Sequence, residues 1–173
     1  MSRTTSVLMV CLLMVVLSAC SKSGQNPAAT ASPEAPKISS QSVVKVAVQP
    51  IDIPAGGSNE AIVRVTVQAG YHINANPATY PYLKATELDI TDTDEVSMDY
   101  TYYPNPQVKK FAFAEQPLRV YEGETQLKVL LNAAKTTPKG NRSVNGKLSI
   151  QACDDSVCYP PAILDVVIPV VIK

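Results

Sequence analysis

The sequence has no tryptophan, a single histidine and a charged fraction of only 17%, and each scarcity closes off a class of function. One histidine is too few for a multi-histidine metal centre or an extended acid–base apparatus. Fifteen Lys and Arg balance fifteen Asp and Glu, so no basic face is available for nucleic acid. No run of like charge exceeds two residues, which excludes a charged disordered tail. Helical periodicity is missing as well: no eleven-residue stretch presents an apolar helical face. Glycine numbers 7 against 14 prolines, a balance that leans toward strands and rigid turns. What the chain does have is alternating apolar rows and four cysteines, and the cysteines carry most of the functional information.

The N-terminus reads as a targeting segment. Arg3 supplies a positive start, and Val7 to Leu17 is an apolar run of eleven residues. That is too short to span a bilayer, which needs about 20 residues, but it suits a secretory signal. Leu17-Ser18-Ala19-Cys20 resembles a bacterial lipobox, in which the peptide is cut before a lipidated cysteine. The resemblance implies a signal peptide over 1–19, lipidation at Cys20 and a membrane-surface anchor of several acyl chains. Ser21 after the cysteine points to the outer membrane. The plainer alternative is an ordinary signal peptide with Cys20 incidental. Residues 20–42 are rich in Ser, Ala, Pro and Gln and read as a flexible linker, with a root-mean-square span of about 25 Å for twenty residues of coil. Cleavage would remove Cys11 and lipidation would consume Cys20, leaving Cys153 and Cys158 in an exported, disulfide-permissive setting.

From Val43 to Lys173 period-two alternation dominates. Ala61, Val63, Val65 and Val67 form one apolar row, Leu127, Val129 and Leu131 a second, and Leu148, Ile150 and Ala152 a third. Leu164, Val166, Ile168, Val170 and Ile172 make another, with Pro169 on its other face suggesting an edge or a bulge. Weaker strands are expected at Val43–Val48, Ala85–Ile90 and Val96–Tyr102. Seven or eight short strands imply an all-β, immunoglobulin-like β-sandwich. A domain of about 130 residues buries a sufficient core without a disulfide.

Cys153 and Cys158 are separated by Asp154-Asp155-Ser156-Val157. Alternation takes Cys153 off the core face, and four intervening residues are enough to turn the chain and join the sulfurs at the mouth of a strand connection. Two readings stay open. As a staple, so short a loop contributes about 2 kcal/mol in the chain-entropy picture, and less where strand pairing already restrains it. As a redox pair, it belongs to the short-range, exposed disulfides that tend to be reducible. The neighbouring Asp154 and Asp155 disfavour a thiolate, which suits a relay working with an already reactive partner better than a general oxidant.

Gln151-Ala152-Cys153-Asp154-Asp155-Ser156-Val157-Cys158-Tyr159-Pro160-Pro161 resembles the active-site stretch of the N-terminal periplasmic domain of the thiol:disulfide interchange protein DsbD. Gly70-Tyr71-His72-Ile73-Asn74-Ala75-Asn76-Pro77 is similar to a second segment common in that family, and the resemblance covers about 43–173. It implies that Cys153 and Cys158 are the catalytic, disulfide-forming pair, and that Cys158 forms the mixed disulfide while Cys153 resolves it. The implied partners are a thioredoxin-like electron donor and exported thiol proteins, on the periplasmic face of a membrane. The full interchange protein continues into a membrane domain and a thioredoxin-like domain, so for a chain reaching Lys173 the expected donor is a separate protein. Activity as a protein-disulfide reductase or interchange component would follow, with no cofactor and no metal. A non-redox lipoprotein binding module with a structural disulfide is the alternative.

The resemblance also implies a cap loop over the sulfurs. Tyr100, Tyr102, Tyr103, Phe111 and Phe113 crowd one stretch, and Pro104–Phe113 is the expected cap, with Phe111 or Phe113 as the shield. His72 and Asn74 share one face if their segment is extended, a face that by resemblance borders the cysteines, as does Tyr159. An imidazole there could ease proton transfer, or serve only as a hydrogen-bonded structural group. A Cys-Cys-His site for Cu(I) or Zn(II) would lack an obvious fourth ligand.

Overall fold

The computed structural model describes residues 38–173. The signal segment 1–19, the lipidation candidate Cys20 and all but the end of the 20–42 linker lie outside the described residues. Two four-stranded sheets face each other. One runs β1 (Val44–Val48), β3 (Ser58–Val67), β9 (Glu124–Ala133), β6 (Val96–Tyr102). The other runs β2 (Ile51–Ile53), β12 (Ala162–Ile172), β10 (Gly140–Ile150), β5 (Glu87–Ile90). All pairings are antiparallel except β2 with β12. The molecule is an all-β, immunoglobulin-like sandwich.

The alternating rows do what their period dictates. Ala61, Val63, Val65, Leu127, Val129 and Leu131 are wholly buried and meet Val144, Leu148, Ile150, Val166, Ile168, Val170 and Ile172 in one cluster. Each fully buried Val, Leu or Ile contributes about 1.5–3 kcal/mol relative to exposure. Leu164 is only packed against the edge of this cluster. Pro169 pairs with Ser143 across the β10 ladder, but on its other side β2 covers only Val170–Ile172. The proline therefore sits where β12 has one neighbour, which a residue without an N–H tolerates. Gly146 lets β5 close on β10: a Cβ there would stand 2.8 Å from the Asp89 carbonyl oxygen.

A third, smaller sheet positions the cysteines. It runs β11 (Ala152–Cys153), β4 (His72–Asn74), β8 (Leu118–Tyr121), β7 (Gln107–Lys109). Its strands are two to four residues long, and β11, β4 and β8 are almost wholly buried. One face carries the row Ala152, Ile73, Tyr121, which joins the main core. On the other face lie Cys153 and His72, and beyond them Val120 and Leu118, which pack with Phe111, Ala114, Tyr80 and Leu83 in a separate satellite cluster.

Candidate functional site

Cys153 and Cys158 are joined in a disulfide, with Cα atoms 3.9 Å apart, and face each other as an isolated antiparallel bridge. The bridge closes the mouth of a tight hairpin. Asp154 N–H donates to the Val157 carbonyl (2.9 Å), and Tyr159 N–H donates to the Ala152 carbonyl (2.8 Å). The Asp154 carboxylate fills the turn: Ser156 and Val157 N–H donate to one oxygen at 2.7 and 2.8 Å, and the Tyr159 hydroxyl donates to the other at 2.5 Å. These donors, the phenol first, hold the Asp154 carboxyl below its usual range. In return the carboxylate pushes the Tyr159 phenol up to about 12. Asp154 is thus occupied inside the loop, and Asp155 is the exposed charge beside the sulfurs.

Alternation does take Cys153 away from the main core, but it does not bring it to the surface. Cys153 is 0% exposed, because the face of the third sheet opposite the core is itself covered. Cys158 is only partly buried and lines a cleft of about 410 Å³ with Tyr80, Tyr82, Leu83, Phe113 and Val157. The two sulfurs are therefore unequal: one is sealed and the other borders an apolar cleft. Tyr82 is 77% exposed and its ring stacks on Tyr80 at 5.1 Å between centroids.

His72 is the cross-strand partner of Cys153 in the β4–β11 ladder, a relation that puts Cβ atoms about 5 Å apart on one face. Its ring stacks on Phe111 at 4.1 Å and is 1% exposed. Burial lowers its pKa below 6.5; Glu122, Asp155 and Asp154 oppose that shift, and Lys109 adds to it. Nε2 is buried with no hydrogen-bond partner. Asn74 is used differently. Its amide nitrogen donates to the Lys84 carbonyl (3.2 Å) and to Gln151 Oε1 (3.1 Å), tying the 77–86 loop to the base of the cysteine hairpin.

The aromatic stretch splits. Phe111 stacks on His72 and on Phe113, and Phe113 borders the cleft at Cys158. Tyr100 and Tyr102 instead lie half-exposed on β6, and the Tyr103 oxygen accepts from Leu88 N–H against the main core. Lys110 Nζ donates to the carbonyls of Ala114 (2.5 Å) and Glu115 (2.6 Å), which shapes the turn after Phe111.

Four contributing residues escaped sequence reasoning. Ser40, inside the expected linker, is buried; its hydroxyl accepts from Ala152 N–H (2.9 Å) and donates to the Pro160 carbonyl (2.7 Å), straddling the hairpin. Gln151 donates to the Tyr159 carbonyl and accepts from Lys84 N–H. Tyr80 and Tyr82 line the cleft, and the Tyr80-Pro81-Tyr82 spacing in a proline-flanked loop was the one signal that could have revealed them. Among the described residues no cluster of three or more His, Cys, Asp or Glu could hold a metal ion, and no helix is long and apolar enough to cross a membrane.

A family model described as "Thiol:disulfide interchange protein DsbD, N-terminal" matches residues 40–165. The reduced N-terminal domain of Neisseria meningitidis DsbD is similar at 20% identity and a TM-score of 0.42, over 66% of this chain and 79% of that one. The N-terminal periplasmic domain of ScsB from Proteus mirabilis is similar at 17% identity and a TM-score of 0.47, over 73% of this chain and 44% of that one. The seventh ScaB type I cohesin from Pseudobacteroides cellulosolvens is similar at 9% identity and a TM-score of 0.42, over 76% of this chain and 92% of that one. No curated protein sequence matches the chain.

Proposed function

The chain belongs to the family of DsbD N-terminal domains, with residues 40–165 carrying the match, and from that premise we propose that it is a thiol–disulfide exchange module in the periplasm. It relays electrons between a thioredoxin-like donor and exported, oxidised thiol proteins through Cys153 and Cys158. The observation that carries this reading is the inequality of the two sulfurs: Cys158 borders an open cleft while Cys153 is sealed. An incoming thiolate reaches Cys158 Sγ, forms the mixed disulfide and displaces Cys153 as the leaving thiolate. In the opposite direction Cys153 attacks Cys158 and releases the partner.

Pro104–Phe113 serves as the cap, with Phe111 and Phe113 together as the shield. Cys20, once lipidated, holds the module on the periplasmic face of a membrane, the outer membrane by the residue that follows it. Replacement of Cys20 by serine should move the exported protein from the membrane to the soluble fraction; retention on the membrane would refute the anchor.

The relay is tested by reduction and trapping. A mild dithiol should open the bridge with the sandwich still folded, and Cys153→Ser should accumulate a mixed disulfide at Cys158, whereas Cys158→Ser should not. If the dithiol leaves the folded protein oxidised, the bridge is a staple and the module a non-redox binding domain.

A further inference from the structure

Opening the bridge creates a chemical problem at the buried end. Cys153 is wholly buried, where a thiolate is disfavoured and a thiol yields its proton reluctantly. Cys153 has no solvent-exposed surface, so its proton passes first to or from a protein group. The Asp154 carboxylate is already occupied by three donors. Lys109 and Glu122 are paired with each other. Asp155 is exposed. The group directly across the ladder from Cys153 is His72, whose Nε2 is buried and has no hydrogen-bond partner. A buried polar atom left without a partner is destabilising, and the reduced form of the protein offers one: the Cys153 S–H.

Resting on the relay reading above, we propose that His72 is the base that activates Cys153 for resolution of the mixed disulfide. In that intermediate Cys158 Sγ is bonded to the partner's sulfur and Cys153 is a thiol. The neutral imidazole accepts the Cys153 proton, and the resulting thiolate attacks Cys158 Sγ. The Cys153–Cys158 bond forms as the Cys158–partner bond breaks. The partner departs as a thiolate, the imidazolium releases its proton to it or to water, and two electrons have passed from the domain's dithiol to the partner. Reversed, the same imidazolium protonates Cys153 when a donor opens the bridge.

Several features suit the imidazole to this task. Burial keeps it neutral near pH 7, which is the form a base requires. The Phe111 ring covers one of its faces. Glu122 follows β8 and by extension of the β4–β8 register stands on the far side of His72 from Cys153. Together with Asp155 and Asp154 from the cysteine loop, Glu122 favours the imidazolium that forms transiently, against Lys109 of β7.

The test uses the full chain carrying Cys11→Ser and Cys20→Ser, reduced and mixed with 5,5′-dithiobis(2-nitrobenzoate). The first nitrothiobenzoate released reports the mixed disulfide, and the second reports its resolution by Cys153. His72→Gln should slow the second release about 100-fold at pH 7, the scale of general base catalysis. It should also turn a profile that is already level at neutral pH, with its break below the ordinary histidine value, into one still rising toward the thiol pKa. An unchanged second phase and profile overturn the proposal while leaving the relay intact. Absence of a second release from the parent protein overturns the relay itself and this inference with it. Should the glutamine variant fold poorly, the parent protein still decides: its one imidazole gives a single set of side-chain nitrogen resonances. The Nε2 signal should shift between oxidised and reduced forms as the thiol begins to donate to it, and an identical signal in both overturns the assignment.

Discussion

In the sandwich, β10 and β12 pair over eleven residues; in the sheet that carries the cysteines, β11 contributes two. The long strands are held by continuous ladders and a shared apolar core. The short ones are held by single side chains reaching for backbone groups: Ser40 to Ala152 and Pro160, Gln151 to Tyr159 and Lys84, Asn74 to Lys84, and Asp154 to its own turn. The core can therefore persist while the hairpin rearranges, since regions with few ladder bonds open at lower free energy than the whole. A redox pair needs such a division, because the scaffold must survive breakage of the bridge.

The comparison is broken most severely in the large core. Leu148 is wholly buried between β10's neighbours, and Leu148→Ala should cost about 2–5 kcal/mol. Denaturant unfolding should show one cooperative transition at a lower midpoint. If only the cysteine sheet melts, the two regions are not divided as described. Phe111→Ala strikes the satellite cluster instead. It should lower the global midpoint less than Leu148→Ala does, while raising the rate at which a small thiol reduces the bridge severalfold. An unchanged rate would remove Phe111 from the cap.

A finer probe is Ser40→Ala, which leaves the Ala152 N–H without an acceptor at a local cost of about 1–3 kcal/mol. Amide exchange at Ala152 and Tyr159 should accelerate while the centres of β3 and β9 stay protected; uniform acceleration would argue that hairpin and sandwich open together. The smallest effect concerns Asp154. Its folded-state pKa lies below the ordinary 3.8, so its contribution is full above that value and is lost as pH falls through the folded pKa. Loop protection should decline with acidification below about pH 4, and Asp154→Asn should abolish that pH dependence. A variant that keeps it would place the titration elsewhere.

The sandwich was legible because its strands are long and solvated on one face. Ala61 to Val67 and Val166 to Ile172 announce themselves by alternation, and Val96–Tyr102 was found with its boundaries intact. The cysteine stretch was legible as a motif. Its surroundings were not, for two physical reasons. β4 and β8 are only three and four residues long, too short for alternation to establish them as strands. The ties that fix the hairpin join residues as far apart as Ser40 and Ala152, and pairing at that distance leaves no local period. Alternation places Cys153 off the main core, as observed, but it carries no information on burial, and a second, satellite cluster covers the face Cys153 takes.

The Ser40 hydroxyl also sets where the domain can be cut. A fragment begun at Val43, where the alternating pattern starts, would keep both sheets yet strip the hairpin of a clamp on either side of its cysteines. Preparations trimmed that far should fold and still misreport the exchange chemistry. A faithful excision has to fall upstream of residue 40.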